Sequence, residues 1–188
     1  MKNPGIDSKE TNFKVRSFDA DISLEEYNRL PKSPLYIILD NLRSAFNVGS
    51  IFRFCDSLRV KGLFLCGSTA FPPHLKLEKT SMGTVNYVPW SRYEKTADAV
   101  LELKKRNIPV WAAETTSHSM PYTGANYPDE LGIVFGNEAL GVNGDVLKLC
   151  DAFIEIPMYG FKNSINVASA CAVIGCWFVH AKKKPFNQ

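Results

Sequence analysis

The chain has no C-x-x-C pair, and no two histidines stand at ligand spacing. His74, His118 and His180 lie far apart, so no metal site is expected. The five cysteines, Cys55, Cys66, Cys150, Cys171 and Cys176, are odd in number and have apolar neighbours. They read as small core residues of a protein in a reducing cytoplasm, not as a disulfide framework. Charge of one sign is also scarce. The net charge of +3 permits contact with a nucleic acid without demanding it. The basic residues do group, as Arg43, Arg53, Arg59 and Lys61, as Lys104, Lys105 and Arg106, and as Lys182, Lys183 and Lys184. For the last two groups, ordinary solvated surface is the plainer reading.

Long hydrophobic runs are missing. The longest, Val167 to Val179, falls short of the roughly 20 residues that a spanning helix needs. The start, Met1-Lys2-Asn3-Pro4, is polar and has no signal-peptide core, so a cytoplasmic protein without a membrane partner is expected. Neither G-x-G-x-x-G nor G-x-x-x-x-G-K-[ST] occurs, which argues against the usual cradles for a dinucleotide or an NTP phosphate. There is no internal repeat and no low-complexity stretch.

What is present is an alternation of apolar runs and helical patterns. At 188 residues, with apolar residues at 45%, one compact domain with a full core is expected. Residues 1–33 form a polar N-terminal extension with a short helix near Ser23 to Leu30, where Ser23 and Glu26 suit a capping box. Residues 34–188 form the main domain. Strands are expected at 35–39, 63–66, 108–112, 132–135 and 153–156. Helices are expected near 48–58, 79–82, 93–105, 144–150 and 167–180. Continuous apolar strands alternating with helices predict an α/β fold, a mainly parallel sheet flanked by helices.

Three segments carry candidate chemistry. In the helix after Asp40, Ile51, Phe54, Cys55 and Leu58 share the core face. Gly49 and Arg53 fall on another face, where the missing side chain of Gly49 is expected to leave a notch before the guanidinium. A salt-bridged surface arginine is the plainer reading. The second segment, Phe135-Gly136-Asn137-Glu138-Ala139-Leu140-Gly141-Val142, closes a strand. Its glycines permit close approach of a ligand, and Glu138 repels phosphate. Such a loop suits an uncharged adenosine or an ammonium better, although a plain strand-to-helix turn explains it equally. The third is Ile154 to Ala170, where a strand meets Pro157 and Gly160 and then a small-residue helix. Ser164 and Asn166 sit at that junction, where backbone groups face a ligand. Either residue alone is also a good helix cap.

Taken in order and spacing, the segments Asn47-Val48-Gly49-Ser50-Ile51-Phe52-Arg53, Gly132 to Val142, and Ile156-Pro157-Met158 to Asn166-Val167-Ala168 resemble the three motifs of the SpoU/TrmH family, in the SPOUT superfamily of RNA methyltransferases. The resemblance covers about residues 34–181. It implies a C-terminal trefoil knot and S-adenosylmethionine bound in it, at Glu114, Thr115, Gly136, Ile156, Met158, Ser164, Ile165 and Asn166. It implies methyl transfer to a ribose 2′-oxygen, with Arg53 central, Asn47 orienting the ribose or phosphate, and Glu138, Ser164 and Asn166 shaping the pocket. Arg53 acts either as a base or as a cation that stabilises the developing oxyanion. Guanidinium groups stay protonated in proteins, which weighs against the base.

The resemblance also implies a homodimer, with the last helix at the interface. That helix is apolar nearly all round, which marks it as buried; Ala168, Ala170, Ala172 and Gly175 would allow close packing of a second chain there, and burial within the monomer explains it equally. The substrate expected is tRNA or rRNA, with tRNA slightly favoured, because the chain resembles the compact transfer-RNA members more than those with an added ribosomal-RNA domain. The Lys182-Lys183-Lys184 tail is expected to reach phosphates. Two other readings stand beside this one. The first is an RNA-binding SPOUT-like relative without catalysis, which would bind cofactor without turnover. The second is an unrelated α/β enzyme using NAD or ATP.

Overall fold

The computed structural model describes residues 22–182. The first part of the polar extension, residues 1–21, and Lys183 and Lys184 lie outside the described residues. Helix α1, Leu24–Arg29, starts at the expected capping box. Ser23 accepts from the Glu26 N–H, and the Glu26 side chain accepts from the Ser23 N–H. The helix is fastened by buried Tyr27, whose hydroxyl donates to Asp56 Oδ1 at 2.8 Å and whose ring meets Tyr87 edge-on.

The sheet follows from the apolar runs. Strand β1, Ser33–Asp40, is buried along nearly its whole length. It pairs in parallel with β2, Val60–Cys66, and with β6, Leu131–Phe135. Strands β3 (Trp90–Tyr93), β4 (Val110–Ala113), β5 (Met120–Pro121) and β7 (Ala152–Glu155) complete seven strands in the order β3-β2-β1-β6-β4-β7-β5. Every pairing is parallel, so the chain must cross over between strands and both faces are covered.

Side chains alternate across the sheet as the pleat requires. Leu35, Ile37 and Leu39 face one cluster with α2 (Ala45–Ser57), α3 (Leu75–Ser81) and α6 (Val167–Ala181). Tyr36 and Ile38 face the other, with α4 (Thr96–Lys105) and α5 (Gly144–Leu147). The chain builds β1, β2 and β3 outward in one direction and then restarts beyond β6. In such open sheets the carboxyl ends of the strands at the reversal leave a crevice.

Several local expectations need correction. Strands β3 and β5 were not expected. The first is a short edge strand whose Ser91 and Arg92 are exposed, so it lacks an apolar run. The second is two residues long and contains Pro121, which a sheet tolerates only at an edge. Tyr93 belongs to β3, so α4 begins at Thr96.

Gly49 leaves no notch before Arg53. A Cβ there would overlap Thr80 Oγ1 and come within 2.6 Å of the Leu77 carbonyl oxygen. The glycine lets α3 lie directly on α2. Gly175 likewise serves a contact within the chain, since its Cβ would meet Phe54 of α2 at 2.6 Å. The last helix is not buried all round. Cys171, Ile174, Gly175 and Phe178 are buried, whereas Val173, Cys176 and Trp177 are exposed. Cys176 is therefore not a core cysteine and Cys150 is only half-buried, while Cys55, Cys66 and Cys171 are buried. Among the described residues no helix is long and apolar enough to cross a membrane.

Candidate functional site

The carboxyl ends of β4, β6 and β7 lie side by side, and the loop leaving each one forms a wall of a cleft of about 860 Å³. From β4 comes Glu114. Its Oε2 accepts the Val142 N–H at 2.8 Å and its Oε1 accepts the Thr115 N–H at 3.1 Å. The Glu114 carboxylate thus ties the loop after β4 to the loop after β6.

The β6 loop is a tight reversal. Asn137 and Gly141 exchange two backbone hydrogen bonds, at 3.0 and 2.9 Å. Gly141 closes the turn at φ +69°, a conformation that favours glycine. A Cβ at Gly136 would overlap the Gly141 carbonyl carbon and the Val142 nitrogen. Gly136 is required by the turn itself, before any ligand is considered. Asn137 holds the loop from within. Its Oδ1 accepts the N–H groups of Ala139 and Leu140, and its Nδ2 donates to the Asn41 carbonyl at 2.7 Å. Sequence reasoning missed Asn137 as a positioning residue. Its decisive partner, Asn41, lies far away in sequence at the end of β1, and no local pattern announces it.

This reversal turns Glu138 outward over the start of α2. The Glu138 carboxylate accepts the Arg43 N–H at 2.8 Å, the Ser44 N–H at 3.1 Å and the Asn47 Nδ2 at 2.9 Å. Partial burial pushes this carboxyl up. The backbone and amide donors outweigh that effect, and Glu138 titrates below its ordinary range. Ser44 is the N-cap of α2 and accepts the Asn47 N–H at 3.3 Å.

The third wall is the loop after β7, which ends at α6. Asn166 is the N-cap of that helix. Its Oδ1 accepts the N–H groups of Ala168 and Ser169, at 2.8 and 3.4 Å. With the oxygen so used, the Asn166 Nδ2 points away from the helix and donates to Asn47 Oδ1 at 3.0 Å. That in turn directs the Asn47 Nδ2 to Glu138. One continuous chain, Glu138–Asn47–Asn166, therefore joins the three segments that the sequence singled out.

The cleft is lined by Glu114, Thr115, Gly136, Glu138, Ile156, Met158, Ser164, Ile165 and Asn166, with Leu140 and Asn163 at the same cavity. All the residues expected to hold a cofactor are gathered there. Asn47 is not in the lining but reaches it through Glu138 and Asn166. Arg53 is neither in the lining nor bonded to Glu138. It is exposed on α2, farther along the helix than Asn47. Among the described residues the lining contains Glu114, Glu138 and Glu155, and no Lys, Arg or His. Its size suits a small-molecule ligand, and its charge rejects phosphates and favours a cation. Among the described residues no group of three or more His, Cys, Asp or Glu side chains could hold a metal.

Residues 34–176 match the sequence model of the SpoU rRNA Methylase family. The chain is 30% identical over 151 residues to the tRNA (guanosine(18)-2′-O)-methyltransferase of Thermus thermophilus, covering 80% of this chain and 77% of that protein. It is 29% identical over 158 residues to a Bacillus subtilis protein named for the TrmH family of tRNA/rRNA methyltransferases, covering 84% of this chain. The chain spans 62% of the length of that Bacillus protein.

Among solved structures, the TrmH/SpoU tRNA-modifying enzyme of A. aeolicus superposes with a TM-score of 0.75 at 26% identity. That match covers 86% of this chain and 81% of the other. An AdoMet-bound rRNA methyltransferase of Sinorhizobium meliloti superposes with a TM-score of 0.69 at 25% identity, over 79% of this chain and 57% of the other.

Proposed function

The chain belongs to the SpoU rRNA methylase family, and from that premise we propose that it is an S-adenosylmethionine-dependent RNA methyltransferase acting on a ribose 2′-hydroxyl. The substrate is tRNA or rRNA. The tRNA reading is favoured by likeness to the Thermus enzyme, of which this chain covers 77%. The observation that carries the proposal is the hydrogen-bonded chain Glu138–Asn47–Asn166 at a cleft whose charged lining, among the described residues, is acidic.

Those residues fit the cofactor. S-Adenosylmethionine carries an adenosine, an ammonium and a sulfonium, and no phosphate. A cleft with three glutamates and, among the described residues, no basic side chain suits that cation and disfavours NAD and ATP. The walls at Gly136, Ile156, Met158 and Ile165 would hold the adenosine, with Glu114 and Thr115 at the loop after β4. Ser164 is exposed into the same space. When bound, the cofactor supplies an electrophilic methyl group.

The chain's own residues then have three tasks. Glu138 fixes Asn47 against the mouth of the cleft, and Asn47 orients the ribose or its phosphate. Arg53 holds the adjacent phosphate by its planar fork and offsets negative charge developing on the 2′-oxygen. Keeping the RNA close to these groups is a large part of the rate enhancement. The 2′-hydroxyl proton leaves to a phosphate oxygen of the RNA, with the guanidinium staying charged throughout.

Arg53 stands apart from the cleft of its own protomer, which favours an active site completed at a homodimer interface. The exposed Val173, Cys176 and Trp177 on α6 supply an apolar surface for that contact. The C-terminal trefoil knot and a cytoplasmic location belong to the same reading. Lys182 is less available to RNA than the tail as a whole suggests, because its ammonium donates to the Tyr127 carbonyl and pairs with Asp129.

Thermal unfolding with added ligands tests the cofactor assignment. A ligand at a hundred times its Kd stabilises by about 2.7 kcal/mol. The melting temperature should rise with S-adenosylmethionine and stay unchanged with NAD or ATP. A rise with NAD or ATP alone would overturn the assignment.

A further inference from the structure

The loop between β7 and α6 presents two aromatic rings that no other described residue covers. Tyr159 is 96% exposed and Phe161 is 98% exposed. Gly160 separates them, and a Cβ there would meet no atom within 4 Å. Lys162 follows, with its ammonium 5.5 Å from the Phe161 ring centroid. The same loop supplies Met158, Asn163, Ser164 and Ile165 to the cleft and ends at Asn166. Two bare rings and a cation therefore stand beside the residues that join the cleft to Asn47.

We propose that Tyr159 and Phe161 form a stacking platform for an unpaired RNA base next to the ribose held at the cleft, with Lys162 on the neighbouring phosphate. The proposal rests on the RNA methyltransferase reading and identifies which part of the RNA the loop holds. Solvent-exposed aromatic faces are the usual means of gripping splayed-out bases, because every base offers a π-face. The cation beside the ring argues for this occupant over a purely apolar one, since a base arrives with a phosphate attached. The acidic cleft behind the loop repels that phosphate and leaves it at the rim, where Lys162 stands. Two rings on so short a segment, with Gly160 between them, suit a base better than the broad flat surface of a second protein chain. The platform tolerates any base, so it favours RNA segments with an unpaired nucleotide over continuous duplex.

The test uses the full chain and two RNA preparations, tRNA and rRNA from cells that lack this protein. RNA affinity is measured by fluorescence anisotropy, methyl transfer by incorporation of labelled methyl groups, cofactor affinity by calorimetry, and assembly by sedimentation. Each stacked ring contributes roughly tenfold in affinity. The Tyr159→Ala/Phe161→Ala variant should weaken RNA binding and raise the KM for RNA by at least that factor. Its cofactor affinity and sedimentation should equal those of the wild type. Tyr159→Phe and Phe161→Trp keep a ring and should retain wild-type RNA affinity.

Unchanged RNA affinity in the double variant overturns the platform. So does a fall in oligomer mass, which would make the rings a subunit contact. A fall in cofactor affinity with RNA affinity intact would make them a cover for the cleft, and likewise overturns it. A wild-type protein that binds RNA but methylates none contradicts the proposed activity and leaves the platform standing on the binding result. A wild-type protein that binds neither preparation overturns both.

Discussion

Asn47 and Asn166 meet across 119 residues of sequence, with the Asn166 Nδ2 donating to Asn47 Oδ1 at 3.0 Å. The bond has a direction because α6 takes the Asn166 oxygen as its N-cap. Helix capping and site assembly are thus one interaction. The two roles of Asn166, cap and site residue, do not compete.

Asn166→Asp separates them. Aspartate is as good an N-cap as asparagine, so the melting temperature should stay close to that of the wild type. The variant has no Nδ2 donor, and a carboxylate oxygen faces Asn47 Oδ1 instead. Methyl transfer should fall at least tenfold, at unchanged secondary structure by circular dichroism. Asn166→Ala should lose activity and also about 1 kcal/mol of stability, read by urea unfolding.

Glu138→Gln should cost about 1 kcal/mol, because one of the N–H groups of Arg43 and Ser44 or the Asn47 amide then meets a donor. The dependence on pH has a fixed sign. The folded carboxyl titrates below the ordinary 4.5, so its contribution is complete above that value. It is lost as the pH falls below 4.5 towards the folded pKa. The stability difference between wild type and variant, followed by denaturant unfolding from pH 7 to pH 3, should be flat above 4.5 and shrink below it. A difference that grows on acidification would reverse the assigned role.

Gly136→Ala should disrupt the loop instead of filling the cleft, because the added Cβ overlaps the Gly141–Val142 backbone. Overpacking of this kind costs about 1–3 kcal/mol. Both the melting temperature and cofactor affinity should fall. Ser164→Ala is the contrast. Ser164 lines the cleft and is exposed, so its variant should keep the wild-type melting temperature while methyl transfer declines.

Arg53→Ala should reduce methyl transfer by about a hundredfold or more, equivalent to about 3 kcal/mol of lost transition-state stabilisation. Arg53 is exposed, so unfolding and cofactor affinity should be unchanged. Arg53→Lys keeps the charge and loses the fork. Recovery of more than a tenth of wild-type turnover by lysine would favour simple charge over paired hydrogen bonding.

The sequence disclosed the fold where burial was continuous. Strands β1, β2 and β6 are apolar runs with both faces covered, and such runs need no partner to be recognised. It did not disclose β3, where Ser91 and Arg92 are exposed and the segment is held by pairing to Leu63–Cys66. Helix faces were legible only on one side. Spacing puts Ile51 and Cys55 inward, but which element covers Gly49 depends on where α3 docks, and the helical pattern carries no such information. The site behaved likewise. Glu138, Ser164 and Asn166 stand out as polar residues in the loops that follow strands, whereas Asn137 acts through the Asn41 carbonyl, a contact made only by the folded sheet.

The most direct measurement of the central claim is methyl transfer from labelled S-adenosylmethionine to tRNA and rRNA from cells lacking this protein, followed by alkaline hydrolysis. A 2′-O-methyl group removes the hydroxyl that alkali needs to cleave the adjacent phosphodiester. The account predicts label in alkali-resistant dinucleotides, abolished by Arg53→Ala. Label released in mononucleotides, as a methylated base would give, or no incorporation into either RNA, would contradict it.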